Sequence, residues 1–309
     1  MLSIKETVTS ELVTLRDVVR WATSQFNAAN LFYGHGNVDA YNDALQLILH
    51  SLNLPTTEFP EHFADAKLTV SEKEKIAELL QRRIKDRIPV PYLINEAWFA
   101  GLPFYVDERV LIPRSPFAEL IYEQFSPWVT EPDSVTSILD MCTGSACIAI
   151  ACAEAFPESS VDAVDISQDA LMVAKININK HFLNDRVQPI QSDLWQNIPA
   201  NEQYDIIVSN PPYVGAEEMM TLPDEYRHEP AFALEAEDNG LALVEQILLK
   251  ASDYLADDGQ LFVEVGNSDL AVMEKWPDIE FMWLDFELGG HGVFCLDKAQ
   301  CREFSARYQ

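Results

Sequence analysis

An apolar run near the middle of the chain ends in Y-D-I-I-V-S-N-P-P-Y-V-G, Tyr204 to Gly215. Two adjacent prolines stop any regular element, because neither supplies a backbone N–H and each fixes its own φ. A plain turn would use Gly, Asp or Asn with one Pro. Three earlier apolar runs also end in polar punctuation. The first is followed by D-M-C-T-G-S-A-C from Asp140, a tight turn in which Gly144 opens a helix and lets backbone N–H groups approach a ligand. The second ends at Asp165, where a carboxylate accepts the two hydroxyls of a ribose. The third ends at Ser192-Asp193-Leu194, suited to an exocyclic amine of a purine, and the fourth at Asn210. An Asp at a strand end is commonly a helix cap, and a lone Gly turn says little. Four such ends in order describe a nucleoside site with something placed beside it.

The elements that must position these residues follow from hydrophobic period. From Val135 onward, short apolar runs (S-I-L-D-M, V-D-A-V-D, R-V-Q-P-I-Q, Y-D-I-I-V-S, G-Q-L-F-V-E-V) alternate with helical stretches at 146–156, 168–181 and 240–255. That alternation predicts a doubly wound parallel α/β sheet, whose ligands sit outside the carboxyl ends of the strands. D-I-E-F-M-W-L-D-F and G-G-H-G-V-F-C-L are joined only by a Gly-rich turn, so the final strand is predicted antiparallel. The first ninety residues read as helices instead. Leu12, Leu15, Val19 and Ala22 keep helical spacing, as do Tyr41, Ala44, Leu45, Ile48 and Leu52. Ser71 with Glu74 gives a capping-box signal for a helix running to about Arg87 and ended by Pro89 and Pro91. N-E-A-W-F-A-G-L-P-F-Y-V-D-E-R-V-L-I-P-R reads as a hairpin turning at 101–103, and helix signals resume over 117–125. The expected organisation is a small helical domain over 1–88, a β-hairpin linker over 89–115 and the α/β domain over 116–309.

Composition narrows the function. With 48% hydrophobic and 23% charged residues the chain is of ordinary globular type, and no run approaches the ~20 apolar residues of a membrane span. The N-terminal segment lacks the pattern of a signal peptide, so a cytoplasmic protein without membrane association is expected. The cysteines, Cys142, Cys147, Cys152, Cys295 and Cys301, form no C-x-x-C pair and have no His at zinc spacing, so no metal is expected. The formal net charge is −29, and residues 117–309 hold 9 basic against 35 acidic side chains. Such a domain repels phosphate backbones, which argues against a nucleic acid as direct substrate. The first loop lacks G-x-G-x-x-G, which argues against a dinucleotide. A nucleoside cofactor without phosphate fits better, and S-adenosylmethionine is the common one.

S-N-P-P-Y after the fourth strand resembles the signature of methyltransferases that act on planar nitrogen. F-A-G-L-P-F-Y-V-D-E-R-V-L-I-P-R (Phe99 to Arg114) and E-P-A-F-A-L (Glu229 to Leu234) are similar to the protein glutamine methyltransferases. R-S-P-F-A-E-L, D-M-C-T-G-S and E-Y-R-H-E-P resemble the branch acting on ribosomal protein L-three of the large subunit. The release-factor branch usually has R-P-D-T-E and an all-Gly/Thr loop at those places. The resemblance covers nearly the whole chain. It implies an S-adenosylmethionine-dependent methyltransferase, Rossmann-like in fold, whose partner is a basic protein substrate. It also implies cofactor contacts from Asp140, Cys142, Thr143, Gly144, Ser145, Ala146, Asp165, Asp193, Leu194 and Asn210. One departure is Ala146, where the family's loop carries Gly; a residue already inside the helix accepts Ala, and that placement is expected here.

The resemblance gives the tetrapeptide a chemical sense. An amide nitrogen is a poor nucleophile, so the enzyme must hold nitrogen, methyl carbon and sulfur in line, and orientation of this kind is worth ~7–11 kcal/mol of barrier. The Asn210 side-chain oxygen and the Pro211 carbonyl can accept the two amide N–H groups, Pro212 stiffens the loop, and Tyr213 can stack on the amide. No general base is required, so Glu217, Glu218 and His228 are read as a solvated loop. Arg114 either meets the cofactor carboxylate or anchors the linker. A release-factor methyltransferase, a base methyltransferase and a non-enzymatic cofactor-binding factor stay open as alternatives. The helical domain is expected to recognise the protein substrate.

Overall fold

The chain is described from a computed structural model, covering residues 2–56 and 58–309. It divides into two compact units, Met1–Ala97 with Pro223–His228, and Trp98–Leu222 with Glu229–Gln309. The helical unit therefore runs past residue 88 and takes in six residues from the segment that follows the Asn-Pro-Pro-Tyr stretch.

In the first unit the helices are α1 (Ile4–Ser10), α2 (Leu15–Ala28), α3 (Ala40–Ser51), α4 (Val70–Lys85) and α5 (Val90–Ile94). Capping boxes start three of them, pairing Ser3 with Glu6, Thr14 with Asp17 and Thr69 with Glu72. The α4 box thus lies two residues before the expected Ser71–Glu74 pair. T-V-S-E and S-E-K-E both fit the pattern, and the residue in extended backbone, Thr69, is the one that caps. Pro89 and Pro91 do not merely end a helix; they stand at the start of α5, where a missing N–H costs nothing. Val18, Ala22, Phe26, Ile48, Ile76 and Leu80 close the core of this unit.

A buried ion network tops that core. Arg83, 1% exposed, donates to Asp43 at 2.7 Å and to the Phe32 carbonyl at 2.8 Å. Glu225, from the returning segment, is equally buried and lies 3.4 Å from Arg83 and 3.1 Å from Arg87, while accepting the Phe32 N–H. Burial pushes the Glu225 carboxyl up, but the Phe32 N–H and the two guanidinium groups outweigh it and hold the group below its ordinary value.

The second unit begins at the hairpin of β1 (Ala97–Phe99) and β2 (Leu102–Phe104), turning at Ala100-Gly101, both with positive φ. After α6 (Phe117–Tyr122) come β3 (Ser137–Met141), α7 (Cys147–Ala155), β4 (Ser160–Asp165), α8 (Gln168–Lys180), β5 (Val187–Gln191) and β6 (Tyr204–Ser209). Then follow α9 (Ala216–Met219), α10 (Ala242–Tyr254), β7 (Leu255–Glu264), α11 (Asp269–Lys275), β8 (Met282–Trp283), β9 (Val293–Asp297) and α12 (Lys298–Tyr308). The strands form one sheet in the order β5-β4-β3-β6-β7-β9-β8. β5 to β7 run parallel, and β9 is antiparallel to both β7 and β8.

The central strands are apolar on both faces, as a doubly covered sheet requires. Ile138, Ile206, Val208 and Phe262 join the core that includes α7, while Leu139, Met141, Ile207, Leu261 and Val263 join the core that includes α10. The penultimate strand is shorter than the sequence suggests: only Met282 and Trp283 of D-I-E-F-M-W-L-D-F pair. No helix among the described residues is long and apolar enough to cross a membrane.

Removing Glu225 would leave Arg83 buried with one carboxylate fewer and the Phe32 N–H unpaired. Glu225→Ala is expected to destabilise the chain by about 3–5 kcal/mol, measured by urea denaturation at neutral pH. Because the folded carboxyl is held low, its contribution is present at neutral pH and is lost as pH falls below about 4.5. A loss under 1 kcal/mol at neutral pH would show that the network is not stabilising.

Candidate functional site

The parallel strands all deliver their carboxyl ends to one edge, and a cavity of about 220 Å³ opens there. Its walls come from the segments after β3, β4, β5 and β6. β3 and β6 are direct neighbours in the sheet, with Met141 opposite Ser209, so the first loop and the Asn-Pro-Pro-Tyr stretch leave the sheet side by side.

The loop after β3 is held in an unusual backbone. Cys142, Gly144 and Ala146 have φ of 64°, 55° and 63°, so three of five residues are left-handed. Two carboxylates hold it. Asp165 at the end of β4 accepts the Gly144 N–H at 2.9 Å and the Ser167 N–H at 2.8 Å. Asp140 accepts the Thr143 hydroxyl at 2.6 Å and the Ala149 N–H at 3.0 Å. Ala149 is the third residue of α7, so the Asp140 side chain acts as a buried cap on that helix. Its other oxygen has no hydrogen-bond partner among the described residues. Burial pushes its carboxyl up to about 7, against the pull of Thr143 and Ala149. Burial raises the Asp165 carboxyl as well, though its three backbone N–H donors oppose this.

The structure corrects the expected placement of Ala146 and shows where Asp140 lies. Asp140 is fully buried and is not part of the cavity wall; strand alternation turns it toward α7, so it shapes the loop. Ala146 is the left-handed N-cap of α7 and not a helical residue. It therefore occupies the backbone conformation that favours Gly. Its methyl group is nonetheless wholly buried in the core beside α7 and does not line the cavity, so it does not crowd a ligand.

The other residues divide as follows. Cys142, Thr143, Gly144, Ser145, Asp165, Asp193 and Leu194 all line the cavity. Burial raises the Cys142 thiol far above its ordinary value, so it stays neutral. Asp193 is exposed at the mouth, and Leu194, with φ 45°, covers the apolar side. Asn210 and Pro212 reach the cavity, whereas Pro211 is buried behind it.

Tyr213 does not line the cavity. Its ring lies against Gly266, where an added Cβ would come within 2.6 Å of the ring, and its hydroxyl donates to Glu264 at 3.0 Å. A β-carbon on Gly240 would meet the Tyr213 carbonyl at 2.0 Å. The residue is thus fixed on two sides by glycines with positive φ.

Arg114 belongs to the cavity wall, yet its guanidinium is engaged with Glu229 at 2.6 and 2.8 Å. Glu229 also accepts the Ile112 N–H at 3.0 Å. The end of the hairpin segment and the start of E-P-A-F-A-L are therefore one clamp, so Arg114 anchors the linker while also lining the cavity. Sequence reasoning missed Phe232, half-exposed in the wall, and Glu264, a 5% exposed carboxylate at the end of β7. The signal for Glu264 was present: it is the one charge in the apolar run L-F-V-E-V. The His228 ring N–H donates to the Asp86 carbonyl in the first unit at 2.7 Å, and Glu218 accepts from the Asn267 amide at 2.9 Å; neither lines the cavity. Among the described residues no three His, Cys, Asp or Glu side chains are grouped to hold a metal.

Two outcomes follow. Ala146→Gly relieves a left-handed Ala and should raise stability by up to ~1 kcal/mol in urea denaturation, leaving cofactor affinity within about threefold; a clear loss would contradict the strain argument. Asp140 carries a folded-state value above its ordinary 3.8, so ionising it costs folding free energy. The stability it contributes is full below about 4 and is lost as pH rises toward about 7. Asp140→Asn should flatten the stability profile over that interval, and an unchanged slope would place the titration elsewhere.

With this geometry in view, comparison with known proteins is informative. Residues 127–223 match the family model for the methyltransferase small domain. The chain is 47% identical to the ribosomal protein uL3 glutamine methyltransferase of Francisella tularensis over 94% of its length and 92% of that protein. It is 45% identical to the enzyme of the same name from Bordetella pertussis, over 94% of this chain and 97% of the other. Among solved structures, the hMettl16 catalytic domain in complex with a MAT2A 3′UTR hairpin aligns with a TM-score of 0.51 at 15% identity, over 74% of this chain and 81% of that one. That likeness concerns the fold alone: a Rossmann-like methyltransferase sheet. At this identity and coverage, the chain belongs to the family of ribosomal protein uL3 glutamine methyltransferases.

Proposed function

We propose that this chain transfers a methyl group from S-adenosylmethionine to the side-chain amide nitrogen of a glutamine in ribosomal protein uL3, giving N5-methylglutamine and S-adenosylhomocysteine. The observation that carries the reading is the placement of Asn210 at the cavity wall, beside the loop after β3. The donor set suits the cofactor. Asp165 offers a carboxylate for a ribose diol, Asp193 an acceptor for an exocyclic amine, and Ile166 and Leu194 apolar surface for a flat ring. When bound, S-adenosylmethionine supplies an electrophilic methyl on a cationic sulfur.

The chain's own part is to bind and orient. The Asn210 side-chain oxygen and the Pro211 carbonyl accept the two N–H groups of the substrate amide. Holding both hydrogens in acceptors raises electron density on nitrogen and fixes its remaining lobe toward the methyl group. Pro211 and Pro212 keep the loop stiff and bring no N–H to compete for those acceptors. The product nitrogen is cationic until it loses a proton, so no committed base is needed. Cofactor contacts by Asp165, Asp193 and the loop of Cys142 to Ser145 are part of the same proposal, with Asp140 and Ala146 acting through the loop's shape.

The −26 balance of residues 117–309, 9 basic against 35 acidic side chains, supports a basic protein substrate and weighs against nucleic acid. A cytoplasmic location, without membrane association, follows from a substrate that is a ribosomal protein. Substrate recognition by the first unit is supported by its near-neutral charge, 11 basic against 15 acidic side chains over residues 1–97 and 223–228.

Mass spectrometry of unmethylated uL3 incubated with the chain and S-adenosylmethionine is expected to show a gain of one methyl on a glutamine. Asn210→Ala should lower the single-turnover rate by at least a hundredfold while calorimetry shows cofactor binding little changed; undiminished methylation would remove Asn210 from the mechanism. Tyr41→Ala and Phe63→Ala, at exposed positions of the first unit, should raise KM for whole uL3 several-fold but not for a short glutamine peptide. Equal effects on both substrates would count against recognition by that unit.

A further inference from the structure

An asparagine side chain has an acceptor end and a donor end of nearly the same shape, so its orientation is decided by its neighbours. The mechanism above needs the acceptor end of Asn210 to face the substrate. We propose that Glu264 is a positioning residue that fixes this orientation, by occupying the donor end of the Asn210 amide from behind. The inference rests on the glutamine reading and deepens it.

The sheet sets up the pairing. Ser209 on β6 lies opposite Val263 on β7 in parallel register. One step further along both strands puts Asn210 beside Glu264, on strands about 4.8 Å apart. Glu264 is buried, and its carboxylate is surrounded by donors. The Ser115 hydroxyl lies 2.5 Å from Oε2 and the Tyr213 hydroxyl 3.0 Å from Oε1. Ser115 Oγ itself accepts the Phe117 N–H at 3.1 Å, so its single proton is directed to Glu264. The Asn210 side chain lies near enough to the same carboxylate to oppose, as a donor, the rise that burial imposes on it.

An ionised carboxylate only accepts hydrogen bonds. It can therefore take the Asn210 NH₂ but not its oxygen, and the oxygen is left facing the cavity. Burying a carboxylate is expensive unless donors compensate it. Two hydroxyl donors converging on one buried carboxylate, with Asn210 next in register, indicate a purpose beyond packing. A neutral carboxylic acid would carry a proton of its own and could donate to the Asn210 oxygen, turning the amide round. Burial raises the Glu264 carboxyl above its ordinary value; Ser115, Tyr213, the nearby Arg114 charge and Asn210 oppose that rise. These are the groups facing it, and the Arg114 charge is shared with Glu229.

The test uses the full chain and exchanges donor and acceptor. Asn210→Asp puts two acceptor-only groups side by side and should slow single-turnover methylation of uL3 at least a hundredfold. Adding Glu264→Gln supplies an NH₂ for the new carboxylate, and the double variant should recover at least tenfold over Asn210→Asp alone. A merely structural carboxylate predicts that the second change adds to the damage, so a double variant no faster than Asn210→Asp overturns the proposal. Calorimetry with S-adenosylmethionine checks that each variant is folded. If one is not, the wild-type chain decides: kcat at saturating substrate should fall at acidic pH along a limb lying above the usual carboxylate range. A kcat with no acidic limb, or a limb that persists unchanged in Glu264→Gln, overturns the proposal. Failure of the glutamine reading is distinct, since the wild-type chain would then add no methyl to uL3 at all.

Discussion

The adjacency of β3 and β6 in a parallel sheet is the constraint on which the rest of the candidate site depends. Parallel strands end on one edge, so polar residues placed just past their ends converge without any long-range pairing of their own. β3 and β6 have both faces buried, in two separate cores, and this fixes their register with little freedom to slip. Everything that follows them, the left-handed loop from Cys142 and the proline pair from Pro211, is presented by strands packed on both faces.

Buried carboxylates then convert that scaffold into a shaped site. Asp140 ties the loop after β3 to the first turn of α7, Asp165 ties it to β4, Glu229 clamps the hairpin segment through Arg114, and Glu264 gathers Tyr213 and Ser115. Each is an acceptor-only group in a place where several donors need a partner. Burial raises three of these carboxyl groups, so the edge of the sheet stores electrostatic cost that donors only partly offset. Such cost is commonly concentrated where orientation matters more than stability. A cationic cofactor would meet a surface already negative.

Much of this was legible in the sequence because hydrophobic period reports strands well. S-I-L-D-M and Y-D-I-I-V-S coincide with β3 and β6, and the antiparallel final strand is where the Gly-rich turn placed it. Polar punctuation at strand ends marked Asp165, Asp193 and Asn210. What period cannot report is which way a residue faces after the strand ends. Period did not foretell that Asp140 caps α7 or that the Tyr213 ring packs on Gly266. Ala146 looked helical because C-I-A-I-A-C-A continues as a helix, but the φ of a cap residue is set by the loop before it. Glu225 and Arg83 were invisible as a pair because 142 residues separate them.

The central claim is that a substrate amide is held between the Asn210 side-chain oxygen and the Pro211 carbonyl. A crystal structure of the chain with S-adenosylhomocysteine and a glutamine peptide of uL3 tests it most directly. The account predicts the glutamine nitrogen within about 3 Å of both oxygens, with the Asn210 nitrogen turned toward Glu264. A glutamine bound elsewhere along the cavity, or an Asn210 that turns its nitrogen to the substrate, would contradict it.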